Sequence, residues 1–107
     1  MNDTLRALEQ QYFALRSNRD DLLSACTADE QRQQVIDIYK EAQTNYFKAI
    51  NAVFDENEPQ IKALTAEVQL AQKQLETALE DLRNIAKTLK VITAAVRLGT
   101  SLVALLA

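Results

Sequence analysis

The sequence predicts an all-α fold, either an antiparallel helical hairpin or a three-helix coiled-coil bundle, with a long protruding third helix. The first observation is that the 107 residues contain one Gly and one Pro. A β-sandwich or barrel needs turn-forming residues about every 8–12 positions, so this composition excludes those folds. The second observation is that apolar side chains recur at alternating spacings of three and four residues, the period of helices that pack against partner helices. The length predicts one domain covering residues 1–107.

Two helices are predicted in the first half of the chain, over about residues 4–24 and 28–54. Thr27 and Glu30 match the capping-box pattern at the start of the second helix. Arg19 interrupts the first apolar seam, and we place it at the edge of the bundle. The aromatic residues are spaced as core residues. They are Tyr12, Phe13, Tyr39, Tyr46, Phe47 and Phe54.

A third helix is predicted from residue 58 to residue 106, with Pro59 in its first turn, where the missing N–H would have no partner. Its apolar seam keeps the three-four spacing from Ile61 to Leu106 without a polar member. A helix of this length would span roughly 60–70 Å. We expect turns near residues 24–27 and 55–58. The alternative is one long helix kinked at Pro59.

The end of the third helix is the predicted binding site. The first two helices are long enough to cover only about residues 59–86 of it, which leaves residues 87–107 as an apolar, basic extension. An uncovered apolar helix of this size is typical of an interaction site. The alternative is that the helix breaks at Gly99 and its tail folds back on the bundle. The predicted partner-binding residues are Leu89, Ile92, Val96, Gly99, Val103 and Leu106, and the predicted charged flank is Lys87, Lys90 and Arg97.

Charge is distributed unevenly along the chain. Residues 1–81 carry 15 acidic and 8 basic side chains, whereas residues 82–107 carry 4 basic and no acidic ones. A helix with a narrow basic face and a broad apolar face is typical of interfacial helices attracted to anionic lipid. The alternative function is therefore a membrane-associated or membrane-active, toxin-like helical protein.

The composition predicts a protein that is not an enzyme. The chain has no His, the commonest general base and transition-metal ligand, and it has one Cys and no Gly-rich phosphate loop. We therefore assign no catalytic residue, metal, cofactor or small-molecule substrate. The acidic body argues against nucleic acid as a partner.

We expect a helical interaction protein, such as an adaptor, co-chaperone or assembly subunit, that docks on a protein partner or forms a homo-oligomer through its C-terminal helix. In composition the chain resembles small, Gln- and Ala-rich bacterial helical proteins. Its first residues lack a basic segment followed by an apolar run, and a single Cys suits a reducing compartment. These features favour the cytoplasm, with membrane association as the alternative.

Overall fold

The fold is a bundle of α-helices. The computed structural model describes residues 2–106, which form four helices and contain no β-strand. The predicted all-α class is therefore confirmed. Turns lie at residues 26–28 and 52–58, so the alternative of one continuous helix kinked at Pro59 is wrong. The helices are α1 (Asp3–Ala25), α2 (Asp29–Asn51), α3 (Pro59–Leu79) and α4 (Ile85–Val103).

The helices pack as two antiparallel hairpins, α1 with α2 and α3 with α4. α1 lies parallel to α3, and a 2.8 Å hydrogen bond joins the Thr4 and Thr65 hydroxyls near the start of each helix. α4 lies parallel to α2, where Asn45 Nδ2 donates to Thr100 Oγ1 at 3.0 Å. Within the described residues, α2 and α3 occupy opposite corners of the bundle and do not touch. The bundle measures 42 × 21 × 18 Å.

The long third helix predicted from the sequence is in fact two helices. It ends at Leu79, and after residues 80–84 the chain reverses direction as α4. Residues 87–106 are therefore not a protruding arm, because α4 fills the fourth corner of the bundle. The break also does not fall at Gly99, which lies within α4. Folding back buries apolar side chains that a protruding helix would leave in water.

Polar side chains, rather than Gly, build the turn between α3 and α4. The backbone N–H of Arg83 donates to Asp81 Oδ1 at 3.1 Å. The Arg83 guanidinium donates to both oxygens of the same carboxylate, at 2.9 and 2.7 Å. Asn84 then caps α4, because its Oδ1 accepts a hydrogen bond from the Lys87 N–H at 3.2 Å. The stop and start signals were therefore present in the sequence, beneath a continuous apolar seam.

The predicted capping box at the start of α2 is wrong. The N-cap residue is Ala28, so Thr27 lies one position too early. Gln31 reaches back instead of Glu30, and its Oε1 accepts a hydrogen bond from the Thr27 N–H at 2.8 Å. This contact still provides a side-chain partner for a backbone amide at the helix entrance.

The core is mostly aliphatic but contains a layer of buried polar side chains. Gln11 and Asn45 are buried there, at 0% and 3% exposure. Gln11 Nε2 donates to the Ala95 carbonyl at 2.9 Å. Gly99 lies against the same side chain, since a Cβ atom at position 99 would be 2.8 Å from Gln11 Oε1. The missing side chain of Gly99 thus allows α1 and α4 to approach each other across the core.

Candidate functional site

The predicted docking residues of the C-terminal helix lie inside the bundle. Those within α4 are buried and pack against the chain's own α1, α2 and α3. Leu106 follows α4, is half-buried and packs against the same core. A partner would reach the residues within α4 only if the helix left the bundle. We call these residues the α4 seam: Leu89, Ile92, Val96, Gly99 and Val103.

The predicted charged flank lies on the outer surface of α4. Lys87, Lys90 and Arg97 are exposed, and none of them forms an ion pair within residues 2–106. We call these three residues the basic flank. Within residues 2–106, no helix is both long enough and apolar enough to cross a membrane.

A second surface is a cluster of aromatic rings shared by α1 and α2. Neighbouring rings have centroids 5.2 to 6.0 Å apart. Phe13 is 41% exposed, and Phe47 and the adjacent Ile50 are each 48% exposed. The expectation that all aromatic residues belong to the core is therefore wrong for Phe13 and Phe47. We call this surface the aromatic face, and its rings are Tyr12, Phe13, Tyr39, Tyr46 and Phe47.

Two arginines border the aromatic face. The Arg16 guanidinium carbon lies 6.0 Å from the centroid of the Phe13 ring, and that of Arg19 lies 5.1 Å from the centroid of the Tyr39 ring. Both distances are within the range of cation–π attraction. Both arginines are exposed, and Arg19 lies at the edge of the bundle as predicted. The face therefore combines apolar rings with cations that remain accessible to a partner.

Hydrogen bonds of the three tyrosine hydroxyls hold the Tyr12, Tyr39 and Tyr46 rings of the face in place. Tyr46 donates to Glu9 Oε2 at 2.9 Å, and this bond raises the pKa of Tyr46 because it stabilises the neutral phenol. Tyr39 and Tyr12 share a 3.3 Å hydrogen bond, and Gln43 Nε2 donates to the Tyr12 hydroxyl at 3.2 Å. The bond with Tyr39 and then the bond from Gln43 lower the pKa of Tyr12. The Tyr12–Tyr39 bond raises the pKa of Tyr39.

The aromatic face was not predicted from the sequence, because its two exposed rings lie off the apolar seams. Phe13 belongs to a stripe on α1 with Glu9 and Arg16, again at three-four spacing but on the flank of the seam. That mixture of charged and aromatic residues was an available signal. Helical spacing places a residue on a flank, but it does not say whether a neighbouring helix covers that flank.

The remaining surface offers two open grooves beside α4. The groove between α3 and α4 has a volume of about 590 Å³ and includes Lys73 and Lys87 in its lining. The groove between α2 and α4 has a volume of about 380 Å³, and its lining includes Asp37 and Arg97. No three His, Cys, Asp or Glu side chains within residues 2–106 are grouped so as to hold a metal ion. Cys26 is buried, and burial raises the pKa of its thiol.

Comparisons of the chain with protein-family models, with curated proteins and with solved structures found no match.

Proposed function

We propose that this chain is a non-enzymatic helical interaction protein, in the manner of an adaptor, co-chaperone or assembly subunit, and that it docks on a protein partner through the aromatic face. The observation that carries the proposal is the exposure of Phe13, Phe47 and Ile50 on one side of the α1–α2 hairpin. Arg16 and Arg19 border these side chains.

The residue types on this face are those that favour binding. Aromatic residues and Arg are enriched at protein interfaces, where rings fill pockets on the partner and account for much of the binding energy. Rings also lose little conformational entropy on binding, since each has two side-chain torsions. Packing against Tyr12 and Tyr46 further restricts the Phe13 ring before a partner arrives. The face is thus partly preorganised for docking.

The proposed docking surface lies on α1 and α2, not on the C-terminal helix that the sequence predicted. Docking through the α4 seam would require α4 to leave the bundle and expose its buried side chains to water. The aromatic face needs no such rearrangement.

The test is site-specific photocrosslinking in the protein's native cells. Benzoylphenylalanine replaces Phe13 in one variant and Leu70 in another. Leu70 is the matched control because it is 64% exposed but lies on α3, away from the aromatic face. We expect covalent adducts from position 13 only, and a Phe47→Ser change in the same chain should reduce their yield about tenfold or more. Absence of adducts at position 13, or the same adducts from both positions, would contradict the proposal.

The basic flank supports a second candidate function, association with an anionic membrane surface. Its three cations lie on one side of α4 without intrachain ion pairs in the described residues. Each cation near an anionic surface contributes about 1 kcal/mol of attraction, which salt screens.

Vesicle cosedimentation tests this second function. The native chain should bind phosphatidylglycerol vesicles at low salt and lose binding when Lys87, Lys90 and Arg97 are changed to Ala. Lys62→Ala on α3 is the control, because Lys62 is exposed and lies outside the groove that Lys87 lines, and this variant should bind like the native chain. Binding to neutral phosphatidylcholine vesicles of equal strength, or binding that salt does not weaken, would exclude an electrostatic membrane role.

A further inference from the structure

The flank of α1 on the aromatic face carries a stripe of alternating charge. Its members follow three-four spacing and lie beside α2. In chain order the stripe is positive, negative, aromatic, positive and negative. Each charge therefore has an opposite charge at nearly the same distance on the other side of the central ring. The stripe is Arg6, Glu9, Phe13, Arg16 and Asp20.

The neighbouring flank of α2 carries a second stripe with the same kind of symmetry. Its centre is Gln43, which donates a hydrogen bond to Tyr12 and so lies at the level of Phe13. An isoleucine lies seven residues to each side of this centre, and Lys40 and Phe47 lie between. The stripe is Ile36, Lys40, Gln43, Phe47 and Ile50.

We propose that the aromatic face is the interface of a two-fold symmetric, antiparallel dimer of this chain. The partner on the aromatic face is then a second copy of the chain, an assignment that rests on the proposed function and goes one step beyond it. A two-fold axis that passes at the level of Phe13 and Gln43 places α1 antiparallel to α1 of the second copy. Phe13 then packs on Phe13, and Glu9 of each copy faces Arg16 of the other. The two-fold axis therefore forms the ion pair between Glu9 and Arg16 twice, once on each side of the Phe13 rings.

The same axis matches the other members of the two stripes. Arg6 faces Asp20 of the second copy on α1. On α2, Ile36 faces Ile50 of the second copy. The aliphatic stem and ammonium group of Lys40 lie over the Phe47 ring of the second copy. A parallel dimer with its axis along α1 would instead place each charge of α1 against its own copy, and one with its axis between α1 and α2 would place Arg16 against Lys40 of the second copy. Like charges across an interface are strongly unfavourable. The charge order therefore selects the antiparallel dimer.

The charged groups that this contact requires are accessible. Glu9 uses Oε2 for Tyr46, which leaves Oε1 for a second partner. Arg16 forms no ion pair within residues 2–106. Each stripe runs over 15 residues, about 21 Å of helix, so the contact covers about half of the 42 Å length of the bundle and belongs to the smaller class of interfaces. The basic flank of α4 is a poorer site for a second copy, since all its charges have the same sign.

Charge exchange between two variants tests the dimer by sedimentation. Glu9→Arg alone places two arginines opposite each other, and Arg16→Glu alone places two glutamates opposite each other. We expect each variant to weaken the dimer about tenfold or more. An equimolar mixture should restore a species of twice the 12.0 kDa chain mass, because the mixed pair has opposite charges at both contacts. Glu9 and Arg16 belong to different turns of one helix, so restoration requires contact between chains.

The controls separate folding from association. Lys73→Glu reverses an exposed charge on α3 and should dimerise like the native chain, and circular dichroism should show unchanged helix content in every variant. If Glu9→Arg unfolds, Arg6→Glu and Asp20→Arg provide a second pair for the same exchange. A native chain that stays monomeric at about 100 μM, or a mixture that stays monomeric, overturns the dimer. Crosslinked adducts of position 13 with another protein, found together with a monomeric native chain, would overturn the dimer and leave the proposed function intact.

Discussion

Gln11 on α1 and Gly99 on α4 touch across the core of the bundle. A Cβ atom on residue 99 would lie 2.8 Å from Gln11 Oε1 and 3.1 Å from Leu8 Cδ2. The Gln11 Oε1 atom has no hydrogen-bond partner within residues 2–106, and the amide is held by its bond to the Ala95 carbonyl. The two residues therefore leave little space for any added atom.

The first prediction concerns this contact. Gly99→Ala should lower the free energy of unfolding by about 1 kcal/mol, since overpacking a core costs about 1–3 kcal/mol and exceeds the roughly 1 kcal/mol that Ala gains over Gly in a helix. Urea denaturation measures the change. Ser101→Ala, at an exposed position of the same helix, should stay within about 0.5 kcal/mol of the native chain. A more stable Gly99→Ala protein would show that Gln11 moves aside at no cost.

The second prediction concerns the α4 seam. Val96 is 1% exposed, so Val96→Asp should destabilise the whole bundle by about 4 kcal/mol or more, because it buries a charge without a partner. Ala94→Asp is the matched control on the exposed side of the same helix. Circular dichroism with urea denaturation should show loss of helix in the first variant only. If Val96→Asp lost only the signal of α4 and the other helices stayed folded, α4 would be the separable arm that the sequence predicted.

The third prediction concerns the turn between α3 and α4. Hydrogen bonds from Arg83 hold the pKa of Asp81 at about 2, below its ordinary value of 3.8. A carboxylate with a lowered pKa stabilises the fold above its unfolded-state value, and this stabilisation is lost as the pH falls from about 3.8 towards about 2. Arg83→Ala should raise the pKa of Asp81, as read from an NMR titration of its carboxyl carbon. Arg97→Ala should leave the titration unchanged, and an unchanged curve in Arg83→Ala would mean that the guanidinium contact is absent in solution.

The fourth prediction concerns the hydrogen bond from the Tyr46 hydroxyl to the Glu9 carboxylate on the aromatic face. The hydrogen bond from Tyr46 to the Glu9 carboxylate is the main cause of the raised pKa of Tyr46. Glu9→Gln keeps an oxygen acceptor but removes the negative charge, so the pKa of Tyr46 should fall towards its ordinary value of 10.0. Phenolate absorbance measured in a background of Tyr12→Phe and Tyr39→Phe isolates this group. Glu67→Gln on α3 provides the control, and equal Tyr46 titrations in both variants would rule out the contact.

The helices themselves were predictable, and the turn between α3 and α4 was not. With one Gly and one Pro in the chain, few positions interrupt a helix, and the three-four spacing of apolar residues marks the buried side of each segment. Asp81, Arg83 and Asn84 end one helix and start the next through local hydrogen bonds. Their signal is weaker than that of a Gly or Pro, so it was not apparent within a continuous apolar seam.

The aromatic face was not predictable for a related reason. The spacing of Phe13 and Phe47 shows that they lie on the flanks of their helices. Whether a flank is buried depends on which helices stand beside it, and that depends on how the whole chain folds. Because α4 packs beside α2 and α3, the outer side of the α1–α2 hairpin stays open.

The sequence by itself determined that this protein is helical and which side of each helix is apolar, because these properties follow from residue types and their spacing along the chain. Only the tertiary structure decided that the C-terminal apolar helix is a buried member of the bundle. A continuous apolar seam is compatible with one protruding helix and also with two helices that fold onto one core. The folded arrangement removes its apolar side chains from water within the same chain, and the aromatic face of the α1–α2 hairpin, rather than the C-terminal helix, keeps apolar rings exposed.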